Sequence, residues 1–111
     1  MRSIQASIVL VLAALLSGCG NLVDVTKTSR DVFTATRADD VDILTVVPRE
    51  KRFEEIATIS TSRWSASNTA KMHNALREKA APLGANAVII SNSGIDYNNF
   101  LWSTGTAIRY K

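Results

Sequence analysis

The sequence predicts an α+β fold in which one helix packs on a small three- or four-stranded mixed sheet, in the order β-β-α-β-β. Two stretches of alternating apolar and polar residues, 41–47 and 53–61, come before a segment whose apolar residues recur every three or four positions. A short apolar run at 85–91 and a last alternating stretch at 104–110 follow that segment. Strands on both sides of one amphipathic helix are typical of a two-layer domain.

The first two strands are predicted at Val41–Val47 and Phe53–Thr61. Pro48 ends the first strand, because its ring nitrogen has no hydrogen to donate to a ladder. Glu54 and Glu55 are neighbours within the second strand, so their side chains point to opposite faces and the two carboxylates cannot act on one substrate. They are therefore interpreted as solvent-facing residues.

The helix is predicted to begin near Ser67 or Asn68, either of which can accept hydrogen bonds from the free N–H groups of the first turn. The apolar side chains expected to face the sheet are Met72, Leu76, Ala80 and Leu83. Pro82 and Gly84 end the helix, since proline lacks a donor and glycine accepts a left-handed conformation.

Ala85–Ser91 is predicted as a central strand, because its short apolar run is typical of a strand that is covered on both faces. A parallel pair with the strand at 53–61 is expected, joined by a right-handed crossover through the helix. A loop at 91–103 and a closing strand at 104–110 complete the domain. With only one helix, the second face of the sheet is expected to lie open to a partner.

The N-terminus has the layout of a secretory signal. Arg2 gives a basic start, and the apolar run from Ile4 to Leu16 is too short for a comfortable membrane span. The end of this run resembles the bacterial lipobox, and it consists of Leu16, Ser17, Gly18 and Cys19. The resemblance implies a signal peptide at 1–18 and a Cys19 whose thiol is lipidated before cleavage and whose freed amine is acylated afterwards. The alternative is that Cys19 closes an ordinary signal peptide or an uncleaved helical anchor.

The residue after the cysteine indicates to which membrane a lipoprotein is delivered. Gram-negative lipoproteins retained at the inner membrane usually carry Asp there, whereas this chain has Gly20. In a Gram-negative source the resemblance therefore implies the periplasmic face of the outer membrane.

Residues 19–40 are predicted to be the lipidated cysteine and a flexible linker, and 41–111 the domain. The strand character of Leu22–Val25 and of Val32–Thr36 leaves an added edge strand as the alternative.

The junction between helix and strand is similar to that of two small-domain groups. Gly84-Ala85-Asn86-Ala87-Val88, following a helix rich in Leu and Ala, resembles the outer-membrane stress-sensor lipoprotein RcsF with its relatives and the YbjQ-type domains. The resemblance implies the fold, membrane anchoring and self-association. In physical terms, Gly84 turns the helix end and Asn86 can hydrogen-bond the turn backbone. The stress sensor has several cysteines in its folded domain and this domain has none, so that signalling mechanism is not implied.

Composition argues against several classes of function. The formal net charge of +3 is small and dispersed, which argues against nucleic-acid binding. One cysteine and one histidine cannot supply a metal site, so neither a metal nor another cofactor is predicted. His73 is interpreted as a residue at the edge of the helical stripe, without a partner nucleophile. The chain is therefore predicted not to be an enzyme.

Exposed aromatic residues are the candidate binding residues. Tyr97, Phe100 and Trp102 fall in the predicted loop at 91–103, and Trp64 precedes the helix. The alternatives are that Phe100 and Trp102 fold back over the sheet, or that the segment is one arm of a hairpin. The leading hypothesis is a non-catalytic envelope lipoprotein that binds an envelope protein or senses stress. The second is a structural lipoprotein that assembles with its own copies.

Overall fold

The computed structural model describes residues 21–111, in which one α-helix covers one face of a five-stranded sheet. The elements are β1 (Leu22–Lys27), β2 (Asp42–Leu44), β3 (Phe53–Ser65), α1 (Thr69–Ala80), β4 (Ala87–Ile95) and β5 (Phe100–Tyr110). The predicted α+β class is confirmed, but the sheet has five strands instead of three or four. The predicted signal peptide and the lipobox at Leu16–Cys19 lie outside the described residues. Within residues 21–111 no helix is both long enough and apolar enough to cross a membrane.

Strand β1 lies inside the stretch predicted to be a linker. It pairs antiparallel with β3, from Leu22 opposite Ser62 to Lys27 opposite Ala57. The linker prediction for 19–40 is therefore wrong for these residues, and the alternative of an edge strand is correct. All but one of the six β1 side chains are exposed, Val23 being half-buried. An edge strand with little burial shows weak alternation in its sequence, which explains the error.

The segment between β1 and β2 is also fixed to the domain. Phe33 packs against the core, and the Arg109 guanidinium lies over its ring at 5.1 Å from the centroid. The Thr36 N–H donates to the Ala81 carbonyl at 2.9 Å, and the Thr36 hydroxyl donates to the Ala85 carbonyl at 2.6 Å. These contacts attach the segment to the C-terminal end of α1, so the linker prediction is wrong here as well.

The sheet order is β1-β3-β5-β4-β2. Strands β2 and β4 form the parallel pair, whereas β5 pairs antiparallel with both β3 and β4. The expected pairing of the strand at 53–61 with the strand at 85–91 is wrong, because β5 lies between them. A hairpin needs only a short loop to close, so β5 forms beside β4 at a small cost in chain entropy and then supplies the partner for β3.

The main core lies between α1 and the sheet. Met72, Leu76 and Ala80 are the buried helix residues, which confirms those three positions of the predicted stripe. The strand residues beneath them include Ile59 and Val88, both fully buried. Small side chains on the sheet allow the helix to approach closely, and they are Ala57, Ala107 and Gly105.

The second face of the sheet has two parts. Near the start of β3, Ile108 and its neighbours form a smaller apolar cluster, which consists of Ala87, Ile89 and Ile108 with Leu44, Phe53 and Tyr110 around them. Lys51 adds its ammonium group at 4.6 Å from the centre of the Tyr110 ring. Farther along, cross-strand pairs such as Thr58 with Thr106 present hydroxyl groups. Within residues 21–111 no α-helix covers this face, as the sequence predicts, and a partner for it stays a prediction.

Gly84 lies at the predicted junction between the helix and the following strand. Its φ of 88° is left-handed, which confirms the predicted helix stop. Its carbonyl accepts a hydrogen bond of 2.8 Å from Arg109 Nη1. The Asn86 side chain differs from the prediction, since its Oδ1 accepts from the Tyr110 N–H at 2.8 Å. Asn86 thus ties the start of β4 to β5, not to the turn.

Replacing Gly84 by alanine is expected to lower the free energy of unfolding by about 2–4 kcal/mol. The added Cβ would lie 2.6 Å from Phe33 Cβ and 2.8 Å from the Thr34 carbonyl oxygen, in a backbone conformation that disfavours a side chain. Urea denaturation of purified protein measures the change, with Arg49→Ala in the exposed β2–β3 loop as the control. A Gly84→Ala protein as stable as wild type would contradict the close packing of residues 33–34 on the junction.

Candidate functional site

One end of the sheet brings together most of the aromatic residues that the sequence singled out. Leu22, the first residue of β1, pairs with Ser62 near the end of β3, and Trp64 pairs with Leu101 in β5. Leu101 in turn pairs with Ile95, the last residue of β4. We call this region, where β4 turns into β5, the hairpin end. The start of β1 therefore lies at the same end of the sheet as the β4–β5 turn, with β3 and β5 between it and β4.

The turn at residues 96–99 is tightly hydrogen-bonded. The Asp96 carboxylate accepts from the N–H groups of Asn98 at 2.9 Å and Phe100 at 3.0 Å. Asn99 takes a left-handed φ of 63°, which asparagine tolerates better than most residues. The predicted loop at 91–103 is therefore wrong, and the alternative of a hairpin arm is correct. The turn holds Tyr97 at its outermost point.

The four candidate aromatic residues have different environments. Tyr97 is fully exposed and Phe100 is 38% exposed. Trp102 is half-buried and its ring lies over Gly94, where an added Cβ would come within 2.9 Å of Trp102 Cζ2. Trp64 is only 8% exposed, and its Nε1 donates to the Leu22 carbonyl at 3.4 Å. The pairing register of β3 shifts between Thr61 and Trp64. Because its side chain is buried, Trp64 is removed from the candidate binding residues.

An apolar groove opens beside the hairpin end, between the first half of α1 and the β4–β5 hairpin. Its volume is about 430 Å³. We call it the groove, and it is lined by Ile43, Thr45, Thr69, Met72, His73, Ile90, Ser93, Gly94, Ile95, Leu101, Trp102 and Ser103. No carboxylate is among these residues, so His73 has no acidic partner there. The arrangement suits the binding of an apolar group.

The polar groups at the floor of the groove bond to one another. The Ser103 hydroxyl lies 2.7 Å from Thr61 Oγ1, and the Ser103 N–H donates to the same Thr61 oxygen at 3.1 Å. Ser103 Oγ also lies 3.8 Å from Met72 Sδ. Because these buried hydroxyls already have partners, the floor does not require a polar ligand.

Strand β4 has an open side along the groove. Its neighbour β2 pairs with it only from Ala87 to Ile89. Across residues 21–111 no other strand lies on that side, so the backbone N–H and C=O groups of residues 90–95 that point away from β5 have no strand partner. An unpaired edge of this kind can accept a further strand.

No metal centre accompanies the groove. Within the described part of the chain, no group of three or more His, Cys, Asp or Glu residues is arranged to hold a metal ion. His73 lies on the helix at the edge of the buried stripe, as the sequence predicts, and its imidazole is half-buried in the groove wall.

Comparison with known proteins supports the fold and little else. No protein-family model matches the chain, and no curated protein matches its sequence. A solved structure, the Francisella virulence factor FvfA, is similar in fold with a TM-score of 0.58 and 15% sequence identity. The match covers 78% of this chain and 96% of that one. At this identity the likeness shows the fold alone. The resemblance to RcsF relatives and YbjQ-type domains stays a prediction.

The groove itself was not predicted from the sequence. The sequence predicts Ile43 and Ile90 in strands and Ile95 in a loop. No local pattern indicates that these residues lie near Met72 and His73. One signal was present, since Ile95 and Leu101 flank a turn-forming stretch symmetrically, as hairpin arms do. The strand order that sets β4 beside the helix could not be obtained from local patterns.

Proposed function

We propose that this protein is a membrane-anchored lipoprotein of the cell envelope, at the periplasmic face of the outer membrane, and that it acts as a non-catalytic binding or stress-sensing module. Its Cys19 carries the lipid, and its groove receives an extended apolar segment of another envelope protein. The groove with its open strand edge is the observation that carries the binding role.

The lipobox supports the anchoring part of this proposal. Small residues at Ser17 and Gly18 leave the backbone accessible to a protease, and Cys19 is the only cysteine of the chain. A free thiol in an exported protein is liable to oxidise, whereas a thioether to lipid is not. Each buried methylene of an acyl chain adds about 0.8 kcal/mol, so several chains give a lasting anchor.

The chemistry of the groove supports the binding part. Apolar side chains from four elements line it, among them Ile43 of β2, Met72 of α1 and Leu101 of β5. The open side of β4 adds backbone donors and acceptors along one wall. A peptide strand placed there satisfies these groups and directs every second side chain into the groove, which is how extended peptides bind to sheet edges.

Site-specific photo-crosslinking in intact cells tests this role. Benzoylphenylalanine in place of His73 in the groove wall is expected to capture one discrete envelope protein. The control replaces Lys79, which is exposed on the same helix, and is expected to give no such adduct. Equal capture from both positions, or no adduct from position 73, would contradict a binding role for the groove.

Self-assembly is the second candidate, and the free edge of β1 favours it. Within residues 21–111, Leu22–Lys27 pairs with β3 on one side and with no strand on the other, so the same strand of a second copy can add there. A second crosslinker at Val25, which is exposed on β1, separates the two candidates. An adduct of twice the protein mass from position 25 supports self-assembly, and an adduct with a different protein from position 73 supports the binding module.

A further inference from the structure

The position of β1 determines which end of the domain meets the membrane. This inference rests on the proposed lipid anchor at Cys19. Leu22 opens β1 at the hairpin end, and Cys19 precedes it by three residues. Since an extended chain advances at most about 3.6 Å per residue, the lipid is attached no farther than about 11 Å from Leu22. The hairpin end is therefore held close to the bilayer.

Apolar side chains are exposed at this same end. Tyr97 projects from the turn, Ile95 is 58% exposed, and Phe100 and Leu22 are 38% and 37% exposed. They belong to β1 and to the β4–β5 hairpin, which the sheet register places at the same end of the sheet with β3 between them. Exposing such a group of large apolar residues to water is unfavourable, whereas aromatic rings are enriched at the headgroup level of membranes.

The charges at this end are mixed, with Arg63 exposed along with the carboxylates of Asp24 and Asp96. Arg63 is exposed in the irregular part of β3, next to the pairing partner of Leu22. The Asp96 carboxylate already accepts two backbone hydrogen bonds within the turn. Glu54 and Glu55 pair with β5 near its other end, opposite Arg109 and Ile108. The acidic side chains of that strand thus lie away from the region that the anchor holds at the bilayer.

The opposite end of the sheet also exposes apolar residues, Val46 and Val47. They line a shallow pocket with Tyr110, which lies eight residues along β5 from Trp102. At about 3.3 Å per strand residue, that end is roughly 26 Å from the level of Trp102. The short connection to Cys19 favours the hairpin end over this distant one.

We infer that the hairpin end docks on the lipid bilayer, with Tyr97, Phe100 and Ile95 among the headgroups and the uppermost acyl carbons. The occupant of this surface is the membrane that holds the anchor. The domain then stands on the bilayer by its hairpin end, and the groove opens immediately above the lipid headgroups. A partner segment that enters the groove approaches along the membrane surface.

Spin labelling of the full lipidated chain in vesicles of phosphatidylethanolamine and phosphatidylglycerol tests this docking. An introduced cysteine is the only free thiol when Cys19 is acylated. The label is placed by Asn98→Cys in the turn, which leaves Tyr97 and Phe100 intact, and by Arg49→Cys at the opposite end as the matched control. Paramagnetic relaxation by oxygen, which concentrates in lipid, is compared with relaxation by a water-soluble nickel complex.

The ratio of oxygen to nickel accessibility is expected to be several-fold higher for the label at 98 than for the label at 49. Adding Tyr97→Ser and Phe100→Ser to the Asn98→Cys chain is expected to lower that ratio toward the control. An acylated chain whose label at 98 is as aqueous as the label at 49 overturns the docking and leaves the anchor standing. A second spin label at Cys19, detected as added protein mass, would show that this thiol is free and not acylated. That result overturns the anchor and the docking together.

Discussion

Changing Cys19 to serine, in a chain whose residues 1–18 are replaced by an ordinary signal peptide that is cleaved without lipidation, is expected to move the protein from the membrane fraction to the soluble fraction almost completely. The serine hydroxyl cannot form the thioether, so the chain carries no acyl groups. It loses the free energy of burying them in the membrane, about 0.8 kcal/mol per methylene. The aromatic residues of the hairpin end contribute far less apolar area than several acyl chains and cannot replace them. Fractionation of cells followed by immunoblotting measures the distribution.

The matched control for this experiment is Ser17→Ala, which keeps a small residue ahead of the cysteine. It is expected to be processed and to fractionate as wild type does. A Cys19→Ser protein that remains with the membranes, or a mature wild-type chain whose mass lacks acyl groups, would contradict the anchor.

Truncating Leu76 to alanine is expected to cost about 3–4 kcal/mol of the free energy of unfolding. Leu76 is completely buried between α1 and the sheet and belongs to the main core. A domain of roughly 90 residues has a total stability on the order of 5–10 kcal/mol, so this one cavity removes a large share of it. Urea denaturation followed by circular dichroism gives the change.

Lys79→Ala on the same helix provides the comparison. Lys79 is exposed, and both residue types favour helices, so a change within about 0.5 kcal/mol is expected. Similar effects of the two substitutions would show that α1 does not pack on the sheet through Leu76.

Local patterns in the sequence were sufficient for the helix and for the junction after it. Burial of Met72, Leu76 and Ala80 follows from their spacing, and the left-handed Gly84 follows from its place after the helix. Both features depend on interactions within a few residues. For this reason a single sequence predicts them well.

Strand number and strand order depended on interactions that the sequence does not display locally. Strand β1 has almost no buried side chains, so its short alternation of apolar and polar residues is too weak to distinguish an edge strand from a linker. Strand β4 continues past the apolar run through Asn92 and Gly94, which read as turn formers. Its pairing with β5 stabilises these residues in a strand despite their low strand propensity. The groove depends on both features, which is why it was missed.

The antiparallel pairing of β1 with β3 bears on how the protein withstands mechanical stress. Under the proposed anchoring at Cys19, tension from the membrane enters at Leu22 and runs along the strand axis toward Lys27. The hydrogen bonds between β1 and β3 are then sheared at the same time instead of being unzipped one after another. The whole β1–β3 pair therefore resists movement of the membrane relative to a partner that the domain binds. The exposed edge strand β1 is then the element that connects the domain to its proposed anchor.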